Sequence, residues 1–223
     1  MALQFKAKVL HSTIEIDWLS PTLVAELPFP GTRAFAAIVN DLEPYQPEAG
    51  RMTVETPSNK VSDVFVRFGL RKGEIELRLY YTGFKIWVSP FEKSHAADLV
   101  LLAMVAFNNL GFREMFPPIG RLNVHYKGHL QLEEGSLIPM LREHVSSRLA
   151  GLEPDGCSYL FTPLDVPAVR PAKLHLERSL KFDESLFVDL RLELDVVENL
   201  DVLIGRSLET IGNAIDSIGI QLQ

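Results

Sequence analysis

The residue types able to do chemistry are spread thinly along this chain. Six histidines are present. His125 and His129 are four apart, a metal-pair spacing on a helix, but the alternation around them (Leu122, Val124, Tyr126 against Asn123, His125, Lys127) marks a strand. On a strand that separation is about 13 Å, too far for one ion. His144 follows Arg142 and Glu143 on a helical pattern and reads as a surface side chain, and His11 and His175 read as isolated on strands. His95 falls in the first turn of a helix, where a neutral ring is preferred to a cation. The single cysteine, Cys157, sits in Gly-Cys-Ser-Tyr, which matches no nucleophile signature; a lone cysteine is usually a small buried hydrophobe. Adjacent or alternate carboxylates (Glu133 and Glu134, Asp183 and Glu184, Glu193 and Asp195) read as a solvated, charge-mixed surface around Arg191. Phosphate-binding glycine motifs, H-E-x-x-H, C-x-x-C and G-x-S-x-G are absent. No catalytic residue, metal site or cofactor is therefore assigned.

Aromatics are the more suggestive group. Tyr80, Tyr81, Phe84, Trp87 and Phe91 crowd one strand and its exit, and Phe107, Phe112 and Phe116 follow an apolar helix that also carries Met104. Core packing explains such clusters, and so does a ligand or partner surface, because aromatic anchors dominate such surfaces. These nine residues are the candidate surface. Arg67, Arg71 and Lys72 would add a small basic patch beside it.

The elements that must position these residues follow from periodicity. Strand patterns cover 3–18, Met52–Glu55, Ser62–Leu70 and Glu74–Val88, the last interrupted at Gly83 by a bulge or tight bend. Thr32 caps a helix bearing Phe35, Ile38, Val39 and Leu42, and Pro44 and Pro47 stop it. Ser94 is the expected cap of a helix to Leu110, with Gly111 as its left-handed stop. That helix is apolar on every side, so it is expected to be covered on more than one face. The order then recurs: strand Gly120–Leu132, a helix after Ser136 with Leu137, Met140, Leu141, Val145 and Leu149 apolar, strands Cys157–Phe161, Lys173–Lys181 and Leu186–Val196, and a helix over 199–218. Gly205 and Gly212 interrupt that last helix at a cost of roughly 1 kcal/mol each, which predicts close approach of another backbone.

Each half thus reads β-α-β-β-β-α, residues 1–112 and 113–223, as one compact unit. The expected class is α+β, with antiparallel curved sheet or sheets and long helices on one face. In element order alone this resembles duplicated helix-grip and TATA-binding-protein-like architectures. That resemblance rests on no motif and carries no function.

Composition narrows the function classes. With 47% hydrophobic and 23% charged residues the chain is ordinary globular material of net charge −7. The first half carries 11 basic and 12 acidic residues and the second 11 and 17, so the chain lacks the basic footprint of a nucleic-acid binder. The longest apolar run, Leu99–Phe107, is far below the ~20 residues of a membrane span. No signal peptide is read at the N-terminus, and one cysteine makes no internal disulfide, so a cytoplasmic protein is expected. The leading expectation is a non-enzymatic protein acting through association, as a homodimer or complex subunit. The alternatives are a module enclosing an apolar small molecule between curved sheet and long helix, and an enzyme of unassigned class.

Overall fold

A computed structural model describes residues 4–24, 26–111, 120–133, 135–144, 154–164, 166–196 and 199–222. In chain order its elements are β1 (Phe5–Leu19), α1 (Arg33–Asp41), β2 (Pro47–Glu55), β3 (Phe65–Leu70), β4 (Ile75–Tyr80), β5 (Gly83–Val88), α2 (Ala96–Asn109), β6 (Gly120–Leu132), α3 (Leu137–His144), β7 (Gly156–Phe161), β8 (Ala172–Arg178), β9 (Ser185–Val196), α4 (Leu200–Ser217) and β10 (Ile220–Leu222). The fold is α+β. Nine strands pair in the order β2-β3-β4-β5-β1-β6-β9-β8-β7, each neighbour antiparallel, and β10 pairs with β1 in parallel. The long β1–β6 pair, from Ala7 opposite Leu132 to Leu19 opposite Arg121, joins both stretches of the chain in one sheet.

Alternation gives this sheet one covered and one open face. On β9, Leu186, Val188, Leu190, Leu192, Leu194 and Val196 are all buried. Leu122, Val124 and Tyr126 of β6, and Ile14, Ile16 and Trp18 of β1, continue that buried layer under the helices. Between them, on the other face, stand polar residues such as Glu15, Asp17, His125 and Asp189.

β1 changes phase along its length. Phe5 and Ala7 are buried at odd positions, but Ile14, Ile16 and Trp18 at even ones. The register against β6 slips between Val9 and His11, so Leu10 is an inserted residue, a bulge. Without it, a one-residue slip would turn every later apolar side chain of the strand to the open face.

Several sequence expectations are met in detail. Thr32 Oγ1 accepts from the Phe35 N–H at 3.1 Å and starts α1. Gly111 has φ +76° at the end of α2. Others are corrected. The run Glu74–Val88 is two strands, β4 and β5, turning at Tyr81-Thr82. Gly83 has φ +150°, and a Cβ there would lie 1.9 Å from the Trp18 carbonyl oxygen. The first stretch therefore reads β-α-β-β-β-β-α rather than β-α-β-β-β-α. Ser94 does not cap α2. A short turn at Lys93–His95 precedes it, tied by the Glu92 N–H donating to His95 Nδ1 at 3.3 Å, and α2 begins at Ala96.

Helix α2 packs on β5 and between α1 and α4, burying Leu99, Leu102, Ala103, Ala106 and Phe107. Its back is nevertheless open: Leu101 is 58% exposed. The expectation that an all-round apolar helix could not turn its back to water is thus met only in part. Of the second helix's expected apolar positions, Val145 and Leu149 lie outside the described residues, as does Glu134.

Candidate binding cleft

The β1 bulge lies where its outer edge changes partner. β10 pairs with Phe5–Ala7 and β5 with Ile14–Leu19. The Phe91 N–H donates to the Ser12 carbonyl at 2.9 Å, and Ser12 Oγ donates back to the Phe91 carbonyl at 2.5 Å. Between these anchors, Lys8–His11 have no strand partner on that edge among the described residues. The sheet is split there, and the split opens into a cleft of about 1200 Å³ between α2 and α4.

Its walls are apolar: Val9 and Leu10 from the bulge, Phe91, Val100 of α2, and Leu208 and Ile211 of α4. Charged groups (Lys6, Glu92, Lys93, Glu209, Asp216) are exposed and stand at its mouth. On α4, Gly205, Leu208, Glu209, Gly212 and Asp216 follow one helical face, and all five line the cleft. A Cβ added at Gly205 or Gly212 would meet nothing within 4 Å. This corrects the expectation of a closely packed backbone: the two glycines border open space, and their cost in helix propensity is offset by no contact within the described residues.

Tyr126 is the polar group on the cleft's apolar side. Only 4% of it is exposed, and its ring packs edge-on against Phe91 at 6.3 Å between centroids. The ring extends over Gly128, where a Cβ would stand 2.5 Å from the phenolic oxygen. No described residue hydrogen-bonds that oxygen, and burial alone pushes the phenol up to about 12, so it is a neutral O–H donor at ordinary pH. The ring is buried, but the hydroxyl is not among the buried unpartnered atoms, so it keeps surface open to the cleft.

The aromatic residues singled out in the sequence are not brought together. Phe84 and Phe107 are core residues, with ring centroids 5.8 and 5.2 Å from Trp18. Tyr80 packs on Phe65 at 5.0 Å, and Tyr81 and Met104 pack at the margin of the core. Trp87 is 37% exposed, in an open-face depression of about 330 Å³ with Glu15, Glu76, Arg78 and Lys85. Phe91 lines the cleft; Phe112 and Phe116 lie outside the described residues. The basic patch also dissolves: Arg67 pairs with Glu55 at 3.1 Å on the open face, whereas Arg71 reaches Asp98 of α2 at 2.5 Å.

The histidines are less isolated than expected. His11 and His129 face each other across β1 and β6, 6.4 Å between rings, with Phe187 at 5.0 Å from His129. His129 Nδ1 lies 2.9 Å from Ser179 Oγ. Burial, then the nearby Lys181 charge, lowers the pKa of both rings, and for His129 the facing His11 adds to this. His125 Nε2 lies 2.9 Å from Asp189, which Arg191 also holds at 2.9 Å. Burial works to raise the Asp189 carboxyl, but these hydrogen bonds and charges outweigh it and hold the group well below the usual carboxylate range. His144 is half-buried rather than a free surface side chain: its Nε2 is 3.1 Å from the Ile218 carbonyl, tying α3 to the end of α4. Cys157 is half-buried, and burial pushes its thiol up, which disfavours the thiolate a nucleophile needs.

Ser158, His175 and Glu177 form a serine–histidine–carboxylate line, 2.7 Å and 3.0 Å. Ser158 and His175 are a cross-strand pair, and Glu177 is the next outward residue along β8. Sheet periodicity by itself produces this row. The cleft, formed around β1 and the helices, does not reach it.

Among the described residues no group of three or more His, Cys, Asp or Glu could hold a metal ion, and no helix is long and apolar enough to cross a membrane. Comparison with protein-family models, with curated proteins and with solved structures gives no match.

Tyr126 and the inserted Leu10 are the site residues that sequence reading passed over. Their signals are faint but present. One is a tyrosine within a row of aliphatic side chains; the other is the switch from odd to even apolar positions between Val9 and Ile14.

Proposed function

We propose that this chain is a non-enzymatic, cytoplasmic binding protein that encloses a largely apolar small molecule between its sheet and the helices α2 and α4. The observation that carries this reading is the cleft of about 1200 Å³, apolar within and charged at its mouth. Ligand sites combine apolar walls with a few placed polar groups in this way, at volumes of ~300–1,000 Å³ for drug-sized ligands. Native mass spectrometry of protein purified from its host is the test. A stoichiometric adduct lost on denaturation is the expected result. The reading is abandoned if there is no adduct and the neutral dye N-phenyl-1-naphthylamine also fails to bind.

We also infer that the halves are related by an approximate two-fold axis between β1 and β6. What supports this is the strand order outward from that pair: β5-β4-β3-β2 on one side and β9-β8-β7 on the other, with α2 and α4 in matching places. The likeness to duplicated TATA-binding-protein-like sheets belongs to this proposal. Superposing 5–109 on 120–217 in an experimental structure tests it; unrelated helix positions would remove it.

A second reading, self-association, draws on the outer side of α2, where Leu101 is 58% exposed beside the half-buried Val105. Light scattering during size-exclusion chromatography decides it, and a clean monomer at micromolar concentration removes it.

A further inference from the structure

We propose that the cleft is built for an uncharged ligand with an apolar body and a hydrogen-bond acceptor, of the ketone, ester or amide carbonyl class, and that this acceptor receives the Tyr126 O–H. The inference rests on the cleft being a ligand site, and it assigns the chemistry of that ligand.

Three observations converge on it. Tyr126 is 96% buried, lines the cleft, and its hydroxyl donates to no described residue. The hydroxyl is not among the buried atoms that lack a partner, so it keeps surface open to the cleft and is free to donate to an acceptor placed there. Its position is built: Gly128 supplies the room, since any side chain there would collide with the phenol. The buried part of the cleft offers no lasting charge. The charged lining groups (Lys6, Glu92, Lys93, Glu209 and Asp216) are of both signs and all exposed at the mouth. His11 also borders the cleft, but its ring faces His129 on the other side of the sheet and brings no charge inside. A carboxylate or ammonium carried inside would lose its hydration without a partner, a far larger cost than burying a neutral carbonyl against one donor. The apolar body then has a place to lie, along α4 over Gly205 and Gly212, where no atom stands within 4 Å of an added Cβ.

The test compares two neutral naphthalene dyes of similar size. One, 6-propionyl-2-dimethylaminonaphthalene, carries a ketone; the other, N-phenyl-1-naphthylamine, carries no carbonyl. Both should bind the natural protein. Tyr126→Phe should weaken the ketone dye about 3- to 10-fold, the effect of one neutral hydrogen bond, and change the other less than twofold. The ketone dye's emission should also shift to the blue in Tyr126→Phe as its hydrogen bond is lost. Gly212→Phe, filling the cleft, should weaken both. Equal binding of the ketone dye by both proteins overturns the acceptor assignment and leaves the cleft reading intact. Tenfold tighter binding of the anionic 8-anilinonaphthalene-1-sulfonate than of either neutral dye overturns the uncharged class. Failure of every dye to bind the natural protein removes the cleft reading itself. Tyr126→Phe should melt at or above the natural temperature; a marked fall would give the hydroxyl a structural role and overturn the proposal.

Discussion

On the open face of the sheet Asp189 is held by His125 and Arg191, Glu193 by Arg121, and Glu15 by Lys85. On the covered face the Tyr126 hydroxyl has no described partner, and two glycines of α4 border unfilled space. The open face is what a half-exposed antiparallel sheet needs in water: charges of both signs, paired across strands, each pair worth about 0–1 kcal/mol. Its apparent chemistry, including the Ser158–His175–Glu177 row, follows from that periodicity. On the covered face, the cleft at the β1 split brings together a hydroxyl with no described partner and a volume of about 1200 Å³. Their coincidence in one place is what the proposed binding site rests on.

The contrast can be broken first in the packed part of the covered face. Phe84 is fully buried against Trp18, so Phe84→Ala should cost about 3–5 kcal/mol in denaturant unfolding. A loss under 1 kcal/mol would mean that this region is not a packed core. Gly128→Ala comes next. Its Cβ would stand 2.5–3.0 Å from the Tyr126 ring and hydroxyl, so the ring must move, at about 1–3 kcal/mol. Nuclear magnetic resonance should show the Tyr126 ring signals shifting most. Unchanged signals would mean that the phenol is not held over Gly128. Gly212→Ala works in the opposite direction. Nothing obstructs the methyl, and the helix should gain up to about 1 kcal/mol in a urea titration; destabilisation would show that the space is occupied.

The smallest effect is the pH response of the open face. His11 and His129 have lowered pKa values from burial and then Lys181. Near pH 7 and above, both are neutral folded or unfolded. As pH falls through about 6.5 the unfolded chain binds protons first, so stability declines until the folded rings protonate too, below their depressed values. Lys181→Met should shrink that decline. Proton resonance titration of the two rings reads it directly, and midpoints at or above 6.5 would contradict it.

Much of this was legible in the chain. The two-residue period of Leu186–Val196 and Gly120–Leu132 named both the strands and their buried sides, because strand geometry sends alternate side chains to opposite faces whatever the partner. Thr32 and Gly111 marked helix ends, because capping and left-handed backbone are settled within a few residues. The separation of β4 from β5 was partly legible in Gly83, yet the contact that demands a glycine there is with Trp18, 65 positions earlier in the chain. Aromatic clustering misled, since Tyr80, Phe84 and Trp87 alternate through the sheet and end on different faces. His144 misled as well, because its partner is the carbonyl of Ile218.

Only the tertiary structure decided the cleft. Lys6 and Gln221 meet at its rim from opposite ends of the chain. β1 is shared by β10 and β5 with a gap between them, and α4 lies with its two glycines toward that gap. Sequence periodicity determines which side of an element is apolar. Whether that side is filled or left open depends on how far apart its neighbours come to rest, a distance that no local pattern encodes.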